Sequence, residues 1–459
     1  MSETTPLPTF RDPAGSLAFE DGLVIRRINP AAREEALEWV NSPLAALLVE
    51  RGDMVSSTIE DTPEGLRLLH PKIAIPTYPW EWSSSQWLAA AELTLDLCNE
   101  ALTHGWILKD ATPLNILFLG PKPVLVDVLS FEKHDPTSST WLAYGQYMRT
   151  FLLPLLTSKL LHWPLELSMF KRDGYEPIDL YDALSFSKRF SPTAFWPITL
   201  PALLEKRKGS GDKPVQPRAA NKDAELNLHI LRRTLASLRK STIKAMPADH
   251  ATEWSDYKAN LGHYTAEQSQ AKFDWVKGVL TEYHPATTLD IGANTGEFSK
   301  LSSDCGSQVV ALEREPVSAG KIFNSARSTG LNITTIHADL SRPTPAVGWD
   351  NRESSALMPR LEGQFELVMM LAVIHHIVLL EQIPLPAIID LCYKLTNKLL
   401  IIEWVPTTDP MFVSLMRGRD DLYGQLTSES LFAACKGKFN LVREEVLGNG
   451  RIMYLFQKQ

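Results

Sequence analysis

The chain has 459 residues, 44% of them hydrophobic and 22% charged, with a formal net charge of −8. That length exceeds one ordinary domain and predicts two or three, and the composition is that of a soluble globular protein. The acidic balance weighs against a surface that coats nucleic acid, although not against a local basic patch. Cys98, Cys305, Cys392 and Cys435 are far apart and form no C-x-x-C. They suggest neither a zinc site nor a disulfide scaffold and fit a reducing cytoplasm. The polar N-terminus is unlike a secretory signal. The most apolar run, Leu367 to Leu380, is interrupted by His375 and His376 and is too short to span a bilayer.

In chain order, Asp21-Gly22 between two short apolar runs signals a hairpin. Residues 31–50 have helical spacing. Residues 86–104 form a stronger amphipathic pattern that ends at Gly105, a favourable helix stop. Then come Leu108-Lys-Asp-Ala-Thr-Pro-Leu-Asn115 and Val126-Asp-Val-Leu-Ser-Phe-Glu132. Asp110 and Asn115 have the spacing of the kinase catalytic loop, and Asp127 follows an apolar strand where a metal-binding aspartate would lie. This layout resembles the C-terminal lobe of the protein-kinase-like fold, aminoglycoside phosphotransferases included. It implies that Asp110 orients a hydroxyl, while Asn115 and Asp127 offer hard oxygens to the Mg²⁺ of Mg-ATP. The departures are Leu108-Lys109 for His-Arg, Val128-Leu129 for Phe-Gly, and no glycine-rich loop in the first 60 residues. Lys72, the only lysine before Lys109, lacks the usual context, and Arg26 or Arg27 is the candidate phosphate contact. A degenerate domain that binds a ligand or only scaffolds is the alternative.

Tyr78-Pro-Trp-Glu-Trp-Ser83 and Trp141-Leu-Ala-Tyr-Gly-Gln-Tyr147 complete this half, and core packing is the plain reading of their aromatics. Together with the two aspartate motifs they resemble a bacterial family of two-part methyltransferases, some described as nodulation or host-specificity proteins. That resemblance covers nearly the whole chain outside residues 202–250. It implies an α+β kinase-like domain over 1–200, a basic linker and helix over 201–250, and a methyltransferase domain over 251–459.

Residues 205–218 read as a basic linker. Residues 223–244 read as a helix whose cations suit a solvated face. Tyr264 and Lys272 are candidates to close over a cofactor or touch substrate.

From Thr287 the pattern alternates strand and helix, the sign of a parallel sheet covered by helices. Strands are expected at 287–291, 308–313, 332–336, 365–371 and 398–404, with a closing antiparallel pair at 439–446 and 451–457. The stretch Thr287-Thr-Leu-Asp-Ile-Gly-Ala-Asn-Thr-Gly296 is a strand followed by a glycine turn. Its D-x-G-x-x-x-G spacing resembles motif I of the class I S-adenosylmethionine methyltransferases. The resemblance implies a C-terminal, seven-stranded, Rossmann-like α/β domain. Asp290, Gly292, Asn294 and Gly296 would form its cofactor loop. Glu313 would accept bonds from ribose hydroxyls, and Asp339 from the adenine amine. His376, or alternatively His375, is the candidate general base at the fourth strand. Glu403 and Trp404 end the fifth strand, and Asp409 lies just beyond. Residues 341–363 form an insertion expected to be a substrate-facing lid, with Trp349 and Arg352 as contacts.

The expected function is methyl transfer from S-adenosylmethionine to a small-molecule or glycan-type acceptor, with the acceptor atom and the oligomeric state open. A combined kinase and methyltransferase, as in O-antigen chain-terminating enzymes of reversed domain order, is one alternative. A non-catalytic regulatory module that binds S-adenosylmethionine or nucleotide is another. An RNA methyltransferase is the third, with no recognisable RNA-binding module to favour it.

Overall fold

The computed structural model describes residues 6–7, 12–208, 223–248, 265–416 and 423–459. The chain divides into two compact units. The first holds residues 1–118, 123–249 and 347–354, and the second holds 119–122, 250–346 and 355–459. The fold is mixed α/β, and no helix among the described residues is long and apolar enough to cross a membrane.

The first unit opens with an antiparallel sheet of β1 (Pro6–Leu7), β2 (Gly15–Glu20), β3 (Leu23–Ile28), β4 (Thr58–Thr62) and β5 (Gly65–Pro71), in the order β1-β2-β3-β5-β4. Asp21 and Gly22 join β2 to β3 at φ 48° and 79°, the doubly positive geometry that a tight hairpin requires. Along β3, Arg26 turns inward and Arg27 outward, as strand alternation dictates. The 31–50 helix is two helices, Arg33–Val40 and Pro43–Glu50. Pro43 cannot continue a helix, and Ser42 caps the new one by accepting from the Ala45 N–H at 3.1 Å.

The Ser84–Thr103 helix starts from a capping box of Ser83 and Gln86. It is followed by β6 (Trp106–Leu108), β7 (Ile116–Leu119), β8 (Lys122–Leu125) and β9 (Phe131–Lys133). The aromatic motifs pack the core of this unit. Trp82 and Trp87 are fully buried, and their indole N–H groups donate to Thr77 Oγ1 at 3.0 Å and Phe151 O at 3.1 Å. A buried indole needs such a partner.

The second unit is built on β10 (Thr287–Ile291), β11 (Gln308–Glu313), β12 (Ile333–His337), β13 (Phe365–Leu371), β14 (Thr396–Trp404), β15 (Phe439–Val446) and β16 (Ile452–Lys458). Their order is β12-β11-β10-β13-β14-β16-β15, with β16 antiparallel to both neighbours. The first five strands are parallel and buried on both faces, so they read as continuous apolar runs. Leu367 to Met370, for example, are completely buried. The Ala266–Tyr283 and Glu297–Asp304 helices cover one face through Trp275, Val276, Val279, Leu280 and Leu301. Strand order reverses direction beside β10, so a crevice opens at the carboxyl ends of β10 and β13.

The 341–363 insertion is not a bare loop. It contains a bridge between Val347 and Ser354, a single turn at Trp349–Asn351 and a short Leu357–Leu361 helix.

Candidate functional site

A cavity of about 380 Å³ occupies that crevice. The loop after β10 forms its floor. Gly292 donates its N–H to Leu312 O at 2.8 Å, which ties the loop to β11. Gly292 lies at φ 70°, and a Cβ there would come within 2.6 Å of the Val373 side chain. Gly296, at φ 82°, precedes the Glu297–Asp304 helix, and its Cβ would meet Ile322 at 2.9 Å. Glycine is therefore required at both positions by conformation and by space. Asn294 also has positive φ, at 50°, a region that asparagine tolerates better than most residues.

Three acids converge on this loop. Asp290 is buried at the end of β10 and accepts the Ser299 hydroxyl at 2.6 Å. Burial pushes its carboxyl up to about 6, while the Ser299 bond and nearby Lys272 pull the other way. Glu313 ends β11. Its two oxygens take the N–H groups of Asn294 at 2.6 Å and of Glu315 at 2.8 Å. Burial raises it as well, against those backbone bonds. Asp339, just after β12, accepts the Ser341 N–H at 2.8 Å, and its other oxygen lies 3.7 Å from Arg314. All three acids line the cavity together with Gly292 and Asn294.

The charge balance of the lining is acidic. Asp290, Glu297, Glu313, Glu315, Asp339 and Glu381 outnumber Lys272 and Arg314. Such a lining favours a ligand carrying positive charge. Asn294 adds a buried side-chain oxygen with no hydrogen-bond partner among the described residues. A buried acceptor of this kind is costly unless a ligand donor reaches it. Glycine floor, carboxylates at the ends of β10 and β11 and beyond β12, unmet acceptor and acidic field all fit S-adenosylmethionine, which has ribose hydroxyls, an adenine amine, an ammonium and a sulfonium.

The Ile374–Leu380 helix brings His376, but not His375, to the cavity wall. The rings pack 4.1 Å apart between centroids, and His375 is buried beneath. Burial, Arg314 and Arg451 hold His376 down at about 4, so it is a neutral imidazole at neutral pH. His375 is held well below its ordinary value by burial, His376 and Arg451. Ala372, at φ 57° in the turn before this helix, also lines the cavity.

Glu403, the third candidate catalytic residue, is not among the residues that line the cavity. It is 1% exposed, and Lys272 Nζ lies 2.6 Å from one oxygen while Arg451 lies 3.3 Å from the other. Arg451 in turn bonds Asp409 at 2.8 Å. The Glu403 carboxylate thus joins Lys272 to Arg451 through its two oxygens. Lys272 itself lines the cavity, 4.9 Å over the Phe298 ring. Trp404 is buried in the core, and Trp349 and Arg352 are exposed and belong to the first unit. Tyr264 lies outside the described residues.

The sequence reading passed over Ser299, Arg314, Glu315, Glu381 and Arg451. Ser299 carried a usable signal, since one helical turn past the loop returns its side chain towards Asp290. Arg451 carried none, because its partners Glu403 and Asp409 are 48 and 42 positions away in sequence.

In the first unit, Arg26 is the hub. Its guanidinium donates to Asp127 Oδ1 at 2.8 Å and Asp12 Oδ2 at 2.5 Å. Ser130 donates to the second Asp127 oxygen at 2.9 Å and accepts from the Asn115 side chain at 3.1 Å. Asp110 is half-buried and raised by burial and then by Asp127, with Lys109 and then Gln146 opposing. Thus Asp110, Asn115 and Asp127 do come together. The Asp127 carboxylate is already shared by a guanidinium and a hydroxyl, so Mg²⁺ there would compete with Arg26. Among the described residues, no group of three or more His, Cys, Asp or Glu side chains is placed to hold a metal ion.

No protein-family model matches the chain. It is 28% identical over 472 residues to nodulation protein NoeA of Rhizobium meliloti (strain 1021), spanning 98% of this chain and 95% of that protein. Among solved structures, it is similar to the N-methyltransferase NodS from Bradyrhizobium japonicum WM9, at 11% identity and a TM-score of 0.32, over 42% of this chain and 97% of that one. Magnesium protoporphyrin IX methyltransferase from Synechocystis PCC 6803 with bound SAH gives 16% identity and 0.32, over 46% and 90%. WbdD, described as a bifunctional kinase-methyltransferase, gives 17% and 0.33, over 46% and 43%. Structural likeness at this level decides neither fold nor activity; the sequence relationship to NoeA spans both chains.

Proposed function

We propose that the second unit is a class I S-adenosylmethionine-dependent methyltransferase acting on a small-molecule or glycan-type acceptor. The observation that carries this reading is the convergence of Asp290, Gly292, Asn294, Glu313 and Asp339 on one cavity at the carboxyl ends of parallel strands. When bound, the cofactor supplies a methyl group already activated on positive sulfur. The protein's task is to bind, orient and exclude water. Glu313 and Asp339 offer acceptor oxygens at successive strand ends. Gly292 lets the backbone come close. Lys272, held by Glu403, and Arg314 place two cations in a wall otherwise dominated by carboxylates. His376 is neutral at neutral pH but is a weak base, because its conjugate acid titrates at about 4. An amine acceptor, nucleophilic before it loses a proton, asks less of such a base than a hydroxyl does.

Calorimetry with S-adenosylmethionine tests the reading. The wild-type chain should bind, and Glu313→Ala should not bind measurably at the same concentrations. Equal binding by both would remove the cofactor assignment. Incubation with labelled cofactor and metabolite extract would then identify the acceptor.

For the first unit we infer a kinase-like domain in which Arg26, rather than Lys72, is the candidate phosphate contact. The supporting observation is the Arg26–Asp127–Ser130–Asn115 chain of contacts. Thermal shift with Mg-ATP checks it. A shift abolished in Asp127→Ala supports nucleotide binding, and no shift in the wild type leaves the unit a scaffold.

A further inference from the structure

The first unit carries an exposed aromatic surface that neither site explains. Phe186, Phe190, Phe195 and Trp196 form a continuous chain of rings, with successive centroids 5.1, 6.5 and 5.5 Å apart. Phe186 is 77% exposed and Trp196 is 70% exposed. Folded proteins rarely leave large aromatics adjoining one another in water, because each forfeits the free energy of burial.

The charges around the chain say what it fits. From Leu184 to Leu204 there is no acidic residue, whereas Lys188 and Arg189 sit among the aromatics, in a protein of net charge −8. Lys188 is exposed and anchored by its ammonium to Leu160 O at 2.6 Å. Arg189 lies 4.2 Å over the Tyr181 ring. The neighbouring acid Asp182 is compensated by Lys206 at 2.8 Å. A second copy of this chain would bring the same cations face to face across a two-fold axis without acids to match them. An anionic lipid surface satisfies both features, since aromatic rings sink to the headgroup level and Lys and Arg meet lipid phosphates.

We propose that the Phe186–Trp196 surface docks the protein peripherally on membranes rich in anionic lipid. Co-sedimentation of the full chain with vesicles tests this. One set is phosphatidylcholine alone, and the other includes about 30% phosphatidylglycerol to supply a negative surface potential. The wild type should bind the anionic vesicles, more weakly at high salt. The double variant Phe186→Ser/Trp196→Ser should bind about tenfold less or worse, because two rings no longer leave water. Its far-ultraviolet circular dichroism and melting temperature should be unchanged, since both side chains are exposed. Lys188→Glu should weaken binding to anionic vesicles specifically. The proposal fails if the wild type does not sediment with anionic vesicles, or if the double variant binds as well as the wild type. It also fails if light scattering shows self-association that the double variant abolishes while vesicles are ignored, which would assign the surface to a second copy.

Discussion

At the residue scale, the candidate site holds groups whose titration burial moves from its ordinary range. Asp290 titrates at about 6 in the folded chain, above the usual aspartate value. A raised carboxyl binds its proton more tightly when folded, so its contribution to stability is greatest below the unfolded value and is lost as pH rises through 6. Asp290→Asn should therefore raise the melting temperature of the cofactor-free protein at pH 7 while weakening cofactor binding, which paired calorimetric scans and titrations would read. His376 has the opposite sign. Its folded value of about 4 lies below the ordinary 6.5, so the folded state releases the proton and stability falls as pH drops from 6.5 towards 4. His376→Asn should lose less stability than the wild type between pH 7 and pH 5, by roughly 1–2 kcal/mol, in denaturant titrations at the two pH values. Gly292→Ala meets Val373 and a positive φ together. A cost of about 1–3 kcal/mol and a loss of cofactor affinity are expected, measured by urea unfolding and calorimetry.

At the element scale, Lys272, Glu403, Arg451 and Asp409 form a buried chain of charges. It ties the Ala266–Tyr283 helix to β14, β14 to Arg451 just before β16, and Arg451 to the start of the Pro410–Met416 helix. These contacts hold a cavity-lining lysine through residues that never touch the cavity themselves. Removing one member leaves a charge buried without its partner. Arg451→Met should cost about 3–5 kcal/mol in chemical denaturation, far more than a surface ion pair. The same element logic explains the insertion at 341–363. It is long enough to look like a lid, yet the Val347–Ser354 bridge and the Leu357–Leu361 helix give it structure of its own.

At the scale of the whole molecule, the two units have separate cores and separate candidate sites. Ligand binding stabilises what it binds, by about 2.7 kcal/mol at a concentration one hundred times the dissociation constant. Hydrogen exchange with saturating S-adenosylmethionine should therefore slow the amides of 290–296 and 313–315 and leave those of β2 to β5 unchanged. Protection spread evenly over both units would contradict a site confined to the second.

Much of the second unit was legible in the sequence. The strand positions follow from apolar runs, because parallel strands buried on both faces leave no room for polar alternation. The glycine loop lies at the end of the first of those runs, and its resemblance to the methyltransferase loop singles out the acids at 290, 313 and 339, at or beside strand ends. These are local features, written in spacing along the chain. What tertiary structure alone decided is which polar groups meet across long separations. Glu403 ends a strand, and only folding sets Lys272 and Arg451 on either side of it. Arg26 is told apart from Arg27 only by folding, which turns it inward and sets it beside Asp127, 101 positions later. His376 separated from its neighbour His375 only when one helix turned one ring to the cavity and the other to the core. Burial and charge pairing are properties of the packed chain, so no reading of spacing could have supplied them.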